Sequence, residues 1–571
     1  MFIEALICII ISMVSTECFL IATTTGLVRG KLNNDYNLSY FSYQGIPYAE
    51  NPTGELRFKA PIPKKPWTNI LDATKPGPVC PQPEGNYNRL QMSEDCLVLN
   101  IYVPANTTGK LLPVFTFVHG GGYKMLSGDT DILYGPQFYL KCDLIFVSMN
   151  YSLLYKCFRL GALGFFSLEN DQFPGNAGLK DVLLALKWIR VNIDRFGGDN
   201  SMMTIGGSSS GSSMSHYLML TNKAKGLFNR AFLASGSAIS FRFVQKKPRD
   251  NALALADKLG LTIEDSENFT QTISKIDVSD IVDAQENIFK DKRSEMRPFG
   301  PFVPSVEPVL PEAVITKHPL DILRFGTPNP VPVLVGFNSL EGVYYWATLK
   351  KNETLVKNLP KLFPDCIPPD LECPKKSEYY QKLVDYISDF YFGGTDLNNF
   401  TRHNFLELLS DTQYTYNVDH WIKIYKDQNP NNVLYYYLFD FDGDLNWAKL
   451  NYHVTEVAGT AHSDDLGYQF ITRTTKPLLN DIDSRSRRMM DLMMTLFTNF
   501  MKYGNPTPDC YEGTKWPQYN TQEKYMVLTD EPRVGERGPN ANRMEFWRNV
   551  YQEFQEVCVN LGGPVKDNNL I

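Results

Sequence analysis

The sequence predicts an α/β fold built on a large, mostly parallel sheet with helices on both faces. Three observations predict it. Several apolar, β-prone runs end in Gly or Asn, helical patterns lie between them, and composition is that of an ordinary globular chain. The 571 residues are 43% hydrophobic and 21% charged, which excludes disorder, collagen and coiled coil. A net charge of −7 argues against nucleic acid or anionic lipid as partner.

The elements come in chain order. Ala5 to Val14 (ALICIIISMV) is apolar but far short of the ~20 residues a membrane span needs. It reads as the core of a secretory signal peptide occupying about residues 1–20, with cleavage between Thr16 and Thr23 and residues 21–571 as one domain. Glu4 and the lack of a preceding Lys or Arg depart from the usual flank. No later stretch reads as a membrane span, and the C-terminus (PVKDNNLI) has neither a retention tetrapeptide nor a hydrophobic tail. A secreted, extracellular protein is expected. Candidate glycosylation sequons at Asn37, Asn106, Asn268, Asn352 and Asn399 agree with that, as does a sixth at Asn150. Cys80 and Cys96 bracket a polar loop, a plausible disulfide, and Cys366 and Cys373 bracket another short one. Cys and His show no metal-ligand spacing, so no metal is expected.

Strands are expected at Leu112–Val118, Leu144–Met149, Met203–Ile205, Val331–Val335 and Val433–Phe439. A helix over Lys180–Phe196 has apolar residues at Val182, Leu183, Leu186, Ile189 and Ile193 and stops at Gly197-Gly198. A second helix covers Arg487–Met501. In such sheets, sites form at the carboxyl ends of strands.

Chemistry-bearing residues fall at those ends. Gly207-Ser-Ser209-Ser-Gly211 comes after MTI and precedes a helical segment, the context of a nucleophile elbow with Ser209 at its tip. His119-Gly120-Gly121-Gly122 comes after LPVFTFV. Consecutive glycines let backbone N–H groups converge on an oxyanion, giving Gly121, Gly122 and Ser210 as candidate donors. Either motif alone is common by chance; both, each after a strand, are not. Of seven histidines, His119 is taken by its glycine motif and His216 sits two turns beyond the elbow. His318, His403, His420 and His453 lack a glycine-marked loop. His462, in Gly459-Thr-Ala-His-Ser-Asp-Asp465, is expected after a strand and is the best base. The acid belongs between nucleophile and base in chain order; Glu341 after VPVLVG fits, with Asp321 and Glu307 as rivals on position.

The chain resembles the type-B carboxylesterase/cholinesterase family, and within it the secreted esterases of arthropods. The resemblance rests on Tyr43 to Trp67, Glu94 to Pro104, HGGGY, GNAGLKDVLLALKWIRVNIDRFGGD, LFNRAFLASGS, GFNSLEG, GTAHSDDLGYQF and FMKYGNPTP, in the family's order. It implies an α/β-hydrolase fold, a Ser209–Glu341–His462 triad, a Cys80–Cys96 disulfide and Ser235 supporting the triad from outside it. It also implies a serine carboxylic-ester hydrolase acting on small-molecule esters without a cofactor; neutral acyl esters are expected because the Cys80–Cys96 loop lacks a Trp. The alternative is a non-catalytic or slow-turnover ester-binding or adhesion member of the same fold. The natural ester and the oligomeric state are not legible.

Departures from the family pattern are local. Ser208 replaces the acidic residue common before the nucleophile. No Cys lies within Phe241–Lys290, so a second family disulfide is absent, and Cys366–Cys373 is expected as an independent staple. Ser152 to Phe158 separates Asn150-Tyr151 from Arg159-Leu160-Gly161, and reads as an insertion or an error of sequence derivation. The Cys80–Cys96 loop lacks the Trp that holds quaternary ammonium in cholinesterases; Tyr87 within it reads as a surface residue.

Overall fold

The computed structural model describes residues 19–80, 82–83, 85–93, 95–107, 109–151, 161–263, 266–292, 300–393 and 401–562. The expected signal core, the Ser152–Phe158 segment and Asn399 lie outside them. Three short strands, β1 (Leu20–Ala22), β2 (Leu27–Arg29) and β5 (Leu71–Asp72), form a small sheet. The large sheet has 11 strands. Its amino-terminal edge is β3 (Lys31–Asp35), β4 (Leu38–Pro47) and β6 (Val98–Pro104). Its centre is β7 (Leu112–Val118), β8 (Ile145–Met149), β9 (Gly198–Ser208) and β10 (Arg230–Ala234). The rest is β11 (Val333–Asn338), β12 (Leu434–Phe439), β13 (Tyr525–Leu528) and β14 (Arg533–Gly535). The order is β14-β13-β12-β11-β10-β9-β7-β8-β6-β4-β3. Strands from β8 through β13 in that order run parallel, and both edges are antiparallel. This is the expected α/β-hydrolase sheet.

The strand sequences explain why it is covered twice. Side chains alternate between faces with period two. On β7, Val114 and Val118 join one apolar cluster while Phe115 and Phe117 join another. On β12, Tyr436 and Leu438 go to the first and Tyr435, Tyr437 and Phe439 to the second. A strand whose two sides both enter a core must be apolar throughout, which is why these runs read as continuous rather than alternating. The helix Ala177–Asn192 replaces the expected Lys180–Phe196, with a 3₁₀ turn at Ile193–Phe196 finishing it before Gly197 at φ 83°. The second helix runs Ser484–Tyr503, longer than expected.

A third cluster, including Leu340, Tyr345, Tyr414, Ala461 and Trp547, packs helices over the carboxyl end of β11. There the disulfide expectation needs correction. Cys80 pairs with Cys96, but Cys373 pairs with Cys558, 185 residues away, not with Cys366. Cys366 closes the 3₁₀ turn Phe363–Cys366 with its thiol buried in this cluster, whereas Cys373 meets the helix Ala541–Gly562. Asn150 is likewise no glycan acceptor: it is buried, accepting from the Gly128 N–H (2.9 Å) and donating to the Pro78 carbonyl (3.1 Å). Asn37, Asn106 and Asn352 are exposed. Among the described residues, no helix is long and apolar enough to cross a membrane.

Candidate active site

Parallel register brings the strand ends level. Val118 pairs with Gly207, Ser208 with Ala234, Ala234 with Gly336, and Asn338 with Phe439. The residues just past these strands therefore meet above one edge: His119 after β7, Ser209 after β9, Ser235 after β10 and Glu341 just beyond β11.

Ser209 has φ 59° and ψ −124°, a region a non-glycine residue occupies only at a cost of roughly 1–3 kcal/mol. Packing enforces it. Its N–H donates to the Ala234 carbonyl (2.8 Å), and the helix Ser210–Met219 behind it is buried at every position. The flanking glycines are required by space: a Cβ on Gly207 would lie 2.4 Å from the Val118 oxygen, and one on Gly211 2.0 Å from the same atom. Strand, turn and helix thus pack backbone to backbone.

The glycine loop lies beside this turn. A Cβ on Gly120 would come within 3.3 Å of the Ser209 Cβ. Gly121 and Gly122 have φ 112° and 64°, and among the described residues neither N–H donates a hydrogen bond. Ser210 opens its helix, so its N–H has no intrahelical partner. Three candidate oxyanion donors therefore stand unspent around Ser209.

His462 Nδ1 lies 2.5 Å from Glu341 Oε2. The other carboxylate oxygen accepts from Ser235 Oγ (2.5 Å) and the Asn338 N–H (2.8 Å). Glu341 is fully buried, so these donors replace the water it has lost. Ser209 and His462 line one cavity together with Gly121 and Gly122. The structure thus brings Ser235, Glu341 and His462 into direct contact and sets Ser209 on the same cavity.

The rivals are placed elsewhere. Glu307 is buried against Lys180 Nζ (2.6 Å) and the Val314 N–H (2.8 Å). Asp321 is half-buried, 3.9 Å from Arg324. His119 and His216 are buried, and desolvation pushes them down to about 4 and about 3, so both are neutral structural rings. His119 stacks on Tyr151 and His216 packs on Trp421.

Two sequence expectations are corrected by this geometry. His462 does not follow a strand; a helix, Trp447–Tyr452, and a loop separate it from β12. Tyr87 is not on the surface: it is buried, bonded through its hydroxyl to Ser127 Oγ (2.8 Å). The cavity's aromatic wall comes from Tyr134, Tyr344, Trp447 and Tyr452, which the sequence reading missed. Only Tyr344 carried a usable signal, since it lies in the first turn of the helix Val343–Leu349 just past Glu341.

Asp465, three residues past His462, is buried and accepts from Asn338 Nδ2 (3.2 Å) and Gln469 Nε2 (2.8 Å). Burial pushes its carboxyl up to about 7, with Glu341 adding to the rise. A carboxyl titrating at ~3.9 when unfolded then stabilises the fold fully below that pH and loses the contribution as pH rises through about 7. Asp465→Asn gives up one hydrogen bond at every pH but removes the titration. Its melting temperature relative to the parent should therefore improve between pH 5 and pH 8; a difference that stays constant would refute the assignment.

A family model described as "Carboxylesterase family" matches residues 17–547. Juvenile hormone esterase from Tribolium castaneum is 30% identical over 562 residues, covering 92% of this chain and 93% of that protein. Juvenile hormone esterase from Heliothis virescens is 32% identical, covering 88% of this chain and 89% of its own. Esterase B1 of Culex pipiens is 29% identical, covering 94% and 99%. Among solved structures, juvenile hormone esterase from Manduca sexta with OTFP covalently attached superposes with a TM-score of 0.80 at 28% identity, covering 93% of this chain and 99% of that one.

Proposed function

The chain belongs to the carboxylesterase family, and from that premise we propose that it is a secreted serine carboxylic-ester hydrolase acting on neutral acyl esters through an acyl-serine intermediate. One observation carries the reading: a buried Glu341 holds His462 by Nδ1 at 2.5 Å, and His462 lines the same cavity as Ser209. Glu341 fixes the tautomer with the proton on Nδ1, so Nε2 is the basic nitrogen. Nε2 takes the Ser209 proton as Oγ attacks the ester carbonyl. The N–H groups of Gly121, Gly122 and Ser210 receive the oxyanion. His462 returns the proton to the leaving alcohol, then activates water to release the acid. A p-nitrophenyl ester should give a pre-steady-state burst of one p-nitrophenol per site, and an organophosphate should modify Ser209. Modification at Ser208 or Ser210 would show the elbow to be misassigned.

Secretion is supported by the apolar amino-terminal run and by two disulfides, which persist in oxidising compartments. Relatives of like identity carry the names juvenile hormone esterase and esterase, which supports an ester as substrate without naming it.

The cavity lining supports a neutral substrate. Its described residues include no carboxylate and one ammonium, Lys124, which pairs with Glu286 at 2.8 Å. Tyr344 and Trp447 line the cavity, but cation–π attraction alone is worth only ~0.5–2 kcal/mol, and no described carboxylate in the lining adds to it. Acetylcholine and its uncharged dimethylbutyl analogue should show kcat/KM values within about tenfold, the test being differential transition-state binding. A larger preference for the cation would contradict the neutral-ester reading.

A further inference from the structure

Behind the imidazole of His462 lies a buried stack. The Tyr414 ring is 4.2 Å from the His462 ring, centroid to centroid, tilted by 32°. The guanidinium carbon of Arg242 is 4.1 Å from the same Tyr414 centroid. Tyr414 and Arg242 are 2% and 6% exposed.

Tyr414 reaches this place through irregular backbone. Between the helices Arg402–Ser410 and Tyr416–Gln428 the chain makes a single π-turn, Asp411–Thr415. Such a turn inserts one residue into a helix and persists where its surroundings hold it. In an uninterrupted α-helix each residue turns ~100°, so without the extra residue a different side chain would face His462. The turn is held from several sides. Asp411 accepts from Tyr391 Oη (2.6 Å) and Thr415 Oγ1 (2.8 Å) and pairs with Arg543 Nε (2.7 Å). Arg242 Nη1 donates to the Gln413 carbonyl (3.0 Å). Tyr414 is not among the side chains lining the catalytic cavity, so it meets the imidazole and not the ester.

We propose that Tyr414 is a positioning residue: aimed by the π-turn and held by Arg242, its ring fixes the imidazole against Glu341 and steadies the positive charge His462 takes up in each half-reaction. The proposal rests on the Ser209–Glu341–His462 reading. A ring face attracts a cation more than a neutral group. The imidazole is neutral before proton transfer and charged in the transition state, so the interaction grows along the reaction and enters kcat rather than KM. Arg242 holds the ring through packing and the bond to Gln413, and its own buried charge offsets part of the gain at the imidazole.

Steady-state hydrolysis of a neutral p-nitrophenyl ester tests this, with sites counted by organophosphate titration and folding checked by the melting temperature. Tyr414→Leu should lower kcat roughly 3- to 30-fold, the span of cation–π attraction at a buried ring, with KM little changed. Tyr414→Phe, which keeps the ring, should recover most of kcat. An unchanged kcat in folded Tyr414→Leu, or a change confined to KM, overturns the proposal. So does a Tyr414→Phe loss as large as that of Tyr414→Leu. Should Tyr414→Leu not fold, Tyr414→Met, which fills the site without a ring face, should lower kcat at constant KM; an unchanged kcat there overturns the proposal as well. With Ser209→Ala inactive and Tyr414→Leu at parental kcat, this inference alone fails; turnover surviving in Ser209→Ala overturns the reading beneath it.

Discussion

Ser209→Ala should reduce hydrolysis of a neutral p-nitrophenyl ester by ~10³-fold or more while leaving the melting temperature close to the parent value. The side chain lost is one hydroxyl, and the strained backbone at Ser209 is held by its neighbours rather than by its Oγ. His462→Ala should cost as much, because Oγ is a poor nucleophile without a base to take its proton. The two losses should not add: the double variant should be no slower than either single, since the residues act as one unit. Glu341 calls for a gentler change. Its carboxylate accepts from Ser235, the Asn338 N–H and His462 inside the protein, so Glu341→Ala strands three groups at once. Glu341→Gln keeps the shape and should still lower turnover strongly by upsetting the tautomer of His462. Near-parental activity in Ser209→Ala would dismiss the assignment outright.

The second large effect concerns stability. Cys373–Cys558 closes a loop of 185 residues. On the chain-entropy account, a loop that long stabilises the folded state by on the order of 5 kcal/mol, a ceiling that real disulfides approach or fall short of. Here the tie secures the helix Ala541–Gly562, whose buried Trp547 donates through Nε1 to Tyr391 Oη (2.8 Å). Tyr391 in turn donates to Asp411 at the π-turn. Cys373→Ser should therefore lower the melting temperature by many degrees, and Cys558→Ser should match it, with no further loss in the double variant. Cys366→Ser should not reproduce the pattern. A Cys373→Ser protein as stable as the parent would mean that this pair carries no stability.

Particular residues show where sequence reading succeeds and stops. Ser209 and the glycines of HGGG were legible because local backbone geometry demands glycine at fixed offsets from a strand end. Chain order left Glu341 beside Asp321 and Glu307, and only the family resemblance singled it out; His462 came from elimination among seven histidines. The reading around His462 was wrong in detail, since helix and loop, not a strand, deliver it. Tyr87 was misplaced because a polar loop hides that its ring turns inward to Ser127. Cys373 was given the nearer partner because proximity along the chain is visible in sequence and proximity in space is not.

By itself the sequence determined the sheet-and-helix alternation, the elbow, the glycine loop and the chain order of the candidate triad. All of these depend on local periodicity and on steric demands within a few residues. Only the tertiary structure decided the rest. Parallel register levels the strand ends so that residues 121, 209, 235, 341 and 462 share one neighbourhood. The cavity's aromatic wall, the partner of Cys373 and the Arg242–Tyr414–His462 stack come from segments far apart in the chain. The physical reason is common to them: each is a side-chain contact between distant elements, set by how helices pack on the sheet, and no spacing along the chain records it.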